Sequence, residues 1–158
     1  MKIGVISDTH LEKFPEHLGG LITQHFEDVD MILHAGDVVE LGVLDFFSDK
    51  DLKLVAGNMD SWAIKERAPA KQVIPIEGFK VGLIHGWGSP TGIEGRIISE
   101  FNDIDILVYG HTHNASSSTR GGVLYFNPGS PTDKHFATDN TIGILEIGKR
   151  ISSKIITL

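Results

Sequence analysis

The stretch IDILVYGHTH, residues 104–113, is an apolar run that stops at a glycine followed by two histidines one residue apart. An apolar run of this length bounded by a turn signal reads as a buried strand. The glycine lets the backbone turn or come close to another group where a side chain would interfere. Two imidazoles leaving one turn can reach two different atoms of a small target, and a pair of metal ions is such a target.

Other strand ends in the chain finish in the same way. KIGVIS (2–7) runs into Asp8 and His10, and DMILHAG (30–36) runs into Asp37. LKLVAG (52–57) runs into Asn58, and FKVGLIHG (79–86) contains His85. In open α/β sheets, ligands bind beyond the carboxyl ends of the strands. Each fragment alone has a plainer reading, because Asp and Asn cap helices and fill turns. Five such endings in one chain, delivering seven oxygen or nitrogen donors, argue for one metal site.

The first half alternates apolar runs with amphipathic stretches. PEHLGGLITQHFED (15–28) places Leu18, Leu21, Ile22 and Phe26 at helical spacing, and ELGVLDFFSD (40–49) is a shorter helix candidate. That order indicates βαβ units and parallel pairing. In the second half, QVIPIEG and FKVGLIHG read as two strands joined at Glu77–Gly78, and residues 91–101 carry a helical stripe. DIDILVYG (103–110) and GGVLYFNPGS (121–130) add strands, and TIGILEI with ISSKIITL closes the chain as a hairpin. The expectation is one α/β domain over residues 1–158, parallel early and more antiparallel late.

Bulk properties narrow the function. The 158 residues suffice to bury a core without staples, and no cysteine is present for a disulfide or thiolate site. A formal net charge of −7 argues against stable nucleic-acid binding. No apolar run approaches the ~20 residues a membrane span needs. With no signal-peptide pattern at the N-terminus, the expectation is a soluble, cytoplasmic protein.

Taken in order, Asp8-Thr9-His10, Gly36-Asp37, Gly57-Asn58, His85-Gly86 and Gly110-His111-Thr112-His113 resemble the signature of the calcineurin-like metallophosphoesterases. The short chain and the NPGS at 127–130 look like the small prokaryotic phosphodiesterases of that superfamily. The resemblance implies a β-sandwich of mixed sheets flanked by helices, in αββα layers. It also implies two divalent metal ions: Asp8, His10 and His113 for one, Asn58, His85 and His111 for the other, with Asp37 bridging. Catalytic roles fall to Asp37, Asn58 and His111. Donors without thiolate favour Mn first, with Ni, Fe and Zn as other fits.

The implied activity is hydrolysis of a small phosphodiester by a hydroxide activated between two metals. One departure stands out. Many relatives read Gly-Asn-His where this chain has Gly57-Asn58-Met59, and that histidine pairs with an acid at the position of Glu40. Methionine donates no proton, so good leaving groups such as aryl diesters are expected to react best. His135 is the one other candidate donor. His34 reads as a core residue or one behind the ligands, and His17 and His25 as helix surface. Asn114 and Asn127 are candidates to orient ligands or serve turns, and Trp62, Lys65 and Arg67 to line a cleft. Two alternatives stay open: a phosphomonoesterase or protein phosphatase on the same site, and a non-catalytic protein-binding scaffold, as in a retromer subunit that shares the fold. Exposed aliphatic faces leave a homodimer open.

Overall fold

Alternation along the first strand separates two cores. Ile3 and Val5 face one side of it and Gly4 and Ile6 the other, and both sides are buried. The computed structural model describes residues 1–158. Its elements run β1 (Lys2–Ile6), α1 (Glu16–Phe26), β2 (Met31–His34), α2 (Gly42–Asp45), β3 (Asp51–Leu54), α3 (Trp62–Lys65) and β4 (Lys71–Ile76). They continue with β5 (Phe79–Ile84), α4 (Ile93–Ile98), β6 (Ile106–Val108), β7 (Ser116–Arg120), β8 (Val123–Asn127), β9 (Thr141–Ile147) and β10 (Ile151–Thr157).

The strands form two five-stranded mixed sheets. One has the order β10-β9-β1-β2-β3, with β1, β2 and β3 parallel and β9 and β10 antiparallel. The other has the order β4-β5-β6-β8-β7, with β5, β6 and β8 parallel between antiparallel edges. Inward side chains of both sheets, among them Val5, Leu33, Leu83, Val108, Phe126 and Leu145, make one shared apolar layer. The outer face of the first sheet is covered by Ile22 and Phe26 of α1, Val43 of α2 and Ile64 of α3. The outer face of the second is covered by Ile93 and Ile97 of α4. The αββα layering expected from the resemblance is therefore present.

Two elements had no counterpart in the sequence reading. β7, Ser-Ser-Ser-Thr-Arg, is a polar edge strand that pairs back onto β8 across Gly121–Gly122. It has no apolar alternation because only one of its edges is paired and most of it faces outward. The short α3 follows the Asn58 turn and buries only Ile64. Antiparallel pairing is commoner late in the chain, as expected, with β5, β6 and β8 running parallel through the centre of the second sheet.

Candidate metal centre

Five strands that run parallel to a neighbour in their sheets end at the same edge of the sandwich, and polar side chains leave them there. Asp8 and His10 follow β1, Asp37 follows β2, Asn58 follows β3, His85 follows β5, and His111 and His113 follow β6. The side-chain atoms converge. Asp8, His10 and His113 each bring one donor atom within 4.8 Å of the others, and so do Asp8, Asp37 and His85. Asn58 Oδ1 lies 3.1 Å from His85 Nε2 and 3.0 Å from His111 Nδ1. All seven positions expected from the sequence thus fall in one cluster.

The backbone is bent to achieve this. Asp8, His10, Asp37, His111 and His113 have φ of +54°, +45°, +53°, +69° and +59°. Left-handed backbone at a non-glycine residue is uncommon, costs roughly 1–3 kcal/mol, and concentrates at functional sites. Five of the eight such residues in the chain are candidate ligands. Two backbone donors hold them: within the second sheet Gly110 N donates to His85 O at 3.1 Å, and between the sheets His111 N donates to Asp8 Oδ2 at 3.0 Å. A β-carbon at Gly110 would collide with Ser7 Oγ and the Asp8 carboxylate, which accounts for the glycine before the two histidines.

Three histidines have one ring nitrogen held from behind. His85 Nδ1 donates to Ala35 O at 2.8 Å, His111 Nε2 donates to Gly88 O at 2.9 Å, and His113 Nδ1 donates to Asp133 Oδ2. A hydrogen bond on one nitrogen sets the tautomer and turns the lone pair of the other inward. The inward atoms are His85 Nε2, 3.3 Å from Asp37 Oδ2, His111 Nδ1 toward Asn58, and His113 Nε2, 3.4 Å from Asp8 Oδ1. His10 Nε2 lies 3.5 Å from Asp37 Oδ2 and 3.2 Å from His113 Nε2.

The electrostatics ask for a cation. Burial pushes Asp8 above the ordinary carboxylate range, with the His85 ring only partly opposing it. Burial also opposes ionisation of Asp37, but the His85 ring and the Met59 N–H outweigh it and hold that carboxyl low. His85 is raised, because Asp37 and Asp8 overcome the lowering effect of burial. Two buried carboxylates drawing a proton onto an imidazole are a site where a divalent ion replaces the proton. The nitrogen and oxygen donors fit a divalent ion of the Mn, Fe, Ni or Zn kind.

Several supporting residues were not anticipated. Asp60, buried, accepts from Gly57 N at 2.6 Å, Asp37 N at 3.2 Å and Val39 N at 2.7 Å, and so ties the β2 and β3 endings together. Asp133 holds His113 with a side chain only 2% exposed. Its burial favours the neutral acid, yet the N–H groups of His135 and Phe136 and the His113 ring hold it at about 2. Ser130 Oγ donates to Asp8 O and Thr132 Oγ1 to Thr9 O, both at 2.7 Å, pinning the residues 127–133 to the β1 ending. The NPGS motif was visible in the sequence, but not the twenty-residue reach from Asp133 to His113.

The remaining candidates divide. Asn127 is buried and donates to Gly110 O and Thr112 Oγ1, both at 3.0 Å, so it shapes the histidine turn; Asn114 caps that turn from outside. His34 is fully buried, with Thr9 Oγ1 3.3 Å from Nε2 and Gly36 N donating to Nδ1. Lys65 Nζ bonds Asn58 O at 3.0 Å, whereas Trp62 and Arg67 are exposed. His17 and His25 lie on α1, exposed and half-buried. Met59 is exposed, as is Glu40, and His135 sits in the exposed segment beside His113. Arg96 donates to Thr91 O and Trp87 O, and Arg120 pairs with Glu94.

Residues 1–150 match the family model of the calcineurin-like phosphoesterase superfamily domain. A probable metallophosphoesterase of Methanocaldococcus jannaschii is 39% identical over 138 residues, 84% of this chain and 69% of that one. The solved structure of a novel archaeal phosphodiesterase has a TM-score of 0.78 at 28% identity, covering 100% of both chains. A Vps29 from Entamoeba histolytica has a TM-score of 0.74 at 22% identity, covering 100% of this chain and 99% of that one, which shows the shared fold. Signature, layering and sequence match agree: the chain belongs to the calcineurin-like phosphoesterase superfamily.

Proposed function

We propose that the protein is a metal-dependent phosphodiesterase. Asp8, His10 and His113 would hold one divalent ion, Asn58, His85 and His111 would hold a second, and Asp37 would be shared between them. Mn is the first choice of metal. The observation that carries this reading is the convergence of seven nitrogen and oxygen donors, three of their imidazoles aimed from behind by hydrogen bonds. When bound, such a pair supplies Lewis acidity to the phosphoryl oxygens and brings the pKa of water down toward about 7.

The chain's own residues define the rest. The buried carboxylates of Asp8 and Asp37 would offset part of the charge of two divalent ions, and Asn58 adds a neutral oxygen, so the site would stay cationic and draw an anionic substrate. Arg96 and Arg120 are engaged on carbonyls and on Glu94. This favours a diester, with one negative charge, over the monoester dianion that guanidinium groups grip. Met59 brings no proton to the departing oxygen, so the leaving group departs as an anion and acidic alcohols react fastest.

The test is a panel of aryl, cyclic-nucleotide and alkyl diesters, with an aryl monoester, assayed after chelation and re-addition of single metals. Aryl diester turnover should return with Mn and fall steeply as leaving-group pKa rises. Monoester turnover above diester turnover, or no diester turnover with any metal that binds, would refute the reading.

A further inference from the structure

Burying an aromatic side chain is favourable, so large apolar side chains left in water invite an explanation when they gather at one place. The chain exposes six: Met1, Met59, Trp62, Val73, Trp87 and Phe136. Three adjoin the candidate ligands. Met59, 59% exposed, follows Asn58, and its N–H donates to Asp37 Oδ1 at 2.7 Å. Trp87, 45% exposed, lies two residues beyond His85 and lines a cleft of about 250 Å³ with Asn58 and His85. Phe136, 73% exposed, stands edge-on to the His113 ring, with centroids 5.6 Å apart.

Phe136 also walls a larger cleft of about 640 Å³ that opens beside His10 and His113 and is floored by Leu11, Pro15 and Leu18. Lys134 is the only lysine or arginine along it, and the Asp133 carboxylate is turned away to His113. Phe136 stands at the His10–His113 end of the ligand cluster, and Trp87 stands at the Asn58–His85 end. An occupant that fits must place an anionic, metal-seeking centre between them and apolar groups outside. A flat protein face offers the apolar part without the anion, and a small inorganic anion the reverse.

We propose that Phe136 and Trp87, with Leu11, Leu18 and Met59, form a two-ended apolar clamp that selects phosphodiesters bearing a flat aromatic ester group. The inference rests on the phosphodiesterase reading and adds the substrate class to it. Recognition is by ring stacking and apolar contact rather than ion pairing, because each cleft holds a single lysine, Lys134 in one and Lys71, already paired with Glu100, in the other. Aryl groups and nucleobases share this chemistry.

Binding can be read without turnover, because the chain has two tryptophans, and Trp62→Phe leaves Trp87 as the reporter. Diphenylphosphinate and dimethylphosphinate have only P–C bonds at the ester positions and cannot be cleaved. Diphenylphosphinate should change Trp87 emission saturably in the metal-loaded protein and bind more tightly than dimethylphosphinate, measured by competition. Phe136→Ala should weaken the diphenyl compound by roughly 5- to 150-fold, the worth of one stacked ring, and leave the dimethyl compound almost unchanged. Phe136 is exposed, and thermal unfolding checks that the variant keeps its fold.

A kinetic arm uses three diesters with the same p-nitrophenolate leaving group and a methyl, phenyl or thymidine group retained. The phenyl and thymidine esters should exceed the methyl ester in kcat/KM, and their order tells an aryl from a nucleobase preference. Equal affinity of the two phosphinates, or equal weakening of both by Phe136→Ala, would overturn the clamp. Selective phosphinate binding without diester turnover would instead refute the phosphodiesterase reading and leave the clamp standing.

Discussion

His34 supplies the most quantitative test of how the site is built. Its imidazole is fully closed from water on the outer side of β2, where it packs against Phe47 and touches Thr9 between two candidate ligands. Burial, reinforced by the charge of His85, lowers its pKa from 6.5 to about 3. The folded ring therefore stays neutral while the unfolded chain takes up a proton below 6.5. The contribution is fully present above pH 6.5 and is lost as pH falls toward about 3. At pH 5, about 1.5 units below the unfolded value, the loss is about 2 kcal/mol at 1.36 kcal/mol per unit. With a urea slope of about 2 kcal/mol/M this moves the unfolding midpoint by about 1 M. The comparison is wild type against His34→Gln, which keeps an amide donor and does not titrate, in chelator at pH 7.5 and pH 5. Contributions common to both proteins cancel in the difference. The variant should be the less stable at pH 7.5 and recover about 2 kcal/mol relative to wild type at pH 5. A difference independent of pH would mean that His34 charges in the folded state, and that its burial does not hold Thr9 as described.

Asp37→Asn should reduce turnover beyond the roughly 10–100-fold that loss of an outer partner costs. It should also erase most of the rise in unfolding temperature on adding Mn; full retention of both would remove Asp37 as the bridge. Asp133→Asn should weaken metal affinity by about 10–100-fold, seen in a direct titration, and should also lower the stability of the chelated protein at neutral pH, where the carboxylate held low by its partners favours the fold. Gly110→Ala should destabilise the chelated protein by about 1–3 kcal/mol, since the new methyl meets Ser7 and Asp8; an unchanged urea midpoint would contradict the close approach of the sheets. Met59→His should raise rates most for the poorest leaving groups, approaching ~10²-fold, and flatten the dependence on leaving-group pKa. A folded, metal-loaded variant with an unchanged slope would place proton donation elsewhere, with His135 the next residue to replace.

Much of this site is written in local sequence, because a ligand at the end of a parallel strand needs only a strand and a turn to be recognisable. Apolar runs ending in Asp8, Asp37, Asn58, His85 and His111 are each legible over about ten residues, and the parallel sheets bring such endings to one edge as a matter of topology. Helix α1 was likewise legible, since Leu18, Ile22 and Phe26 repeat at its period. What the chain could not disclose locally are contacts made between distant segments. Asp133 reaches His113 through the fold of residues 127–133 onto the β1 ending, and Asp60 gathers N–H groups from two separate turns. The polar β7 carries no apolar period, because an edge strand facing water gains its order from the ladder with β8 and not from burial. Likewise Phe136 and Trp87 are ordinary loop aromatics until packing of the two sheets sets them at opposite ends of one cluster of ligands. Ligand identity follows from short-range pattern; aiming, tautomer and the shape of the mouth follow from which strand ends the sandwich presses together.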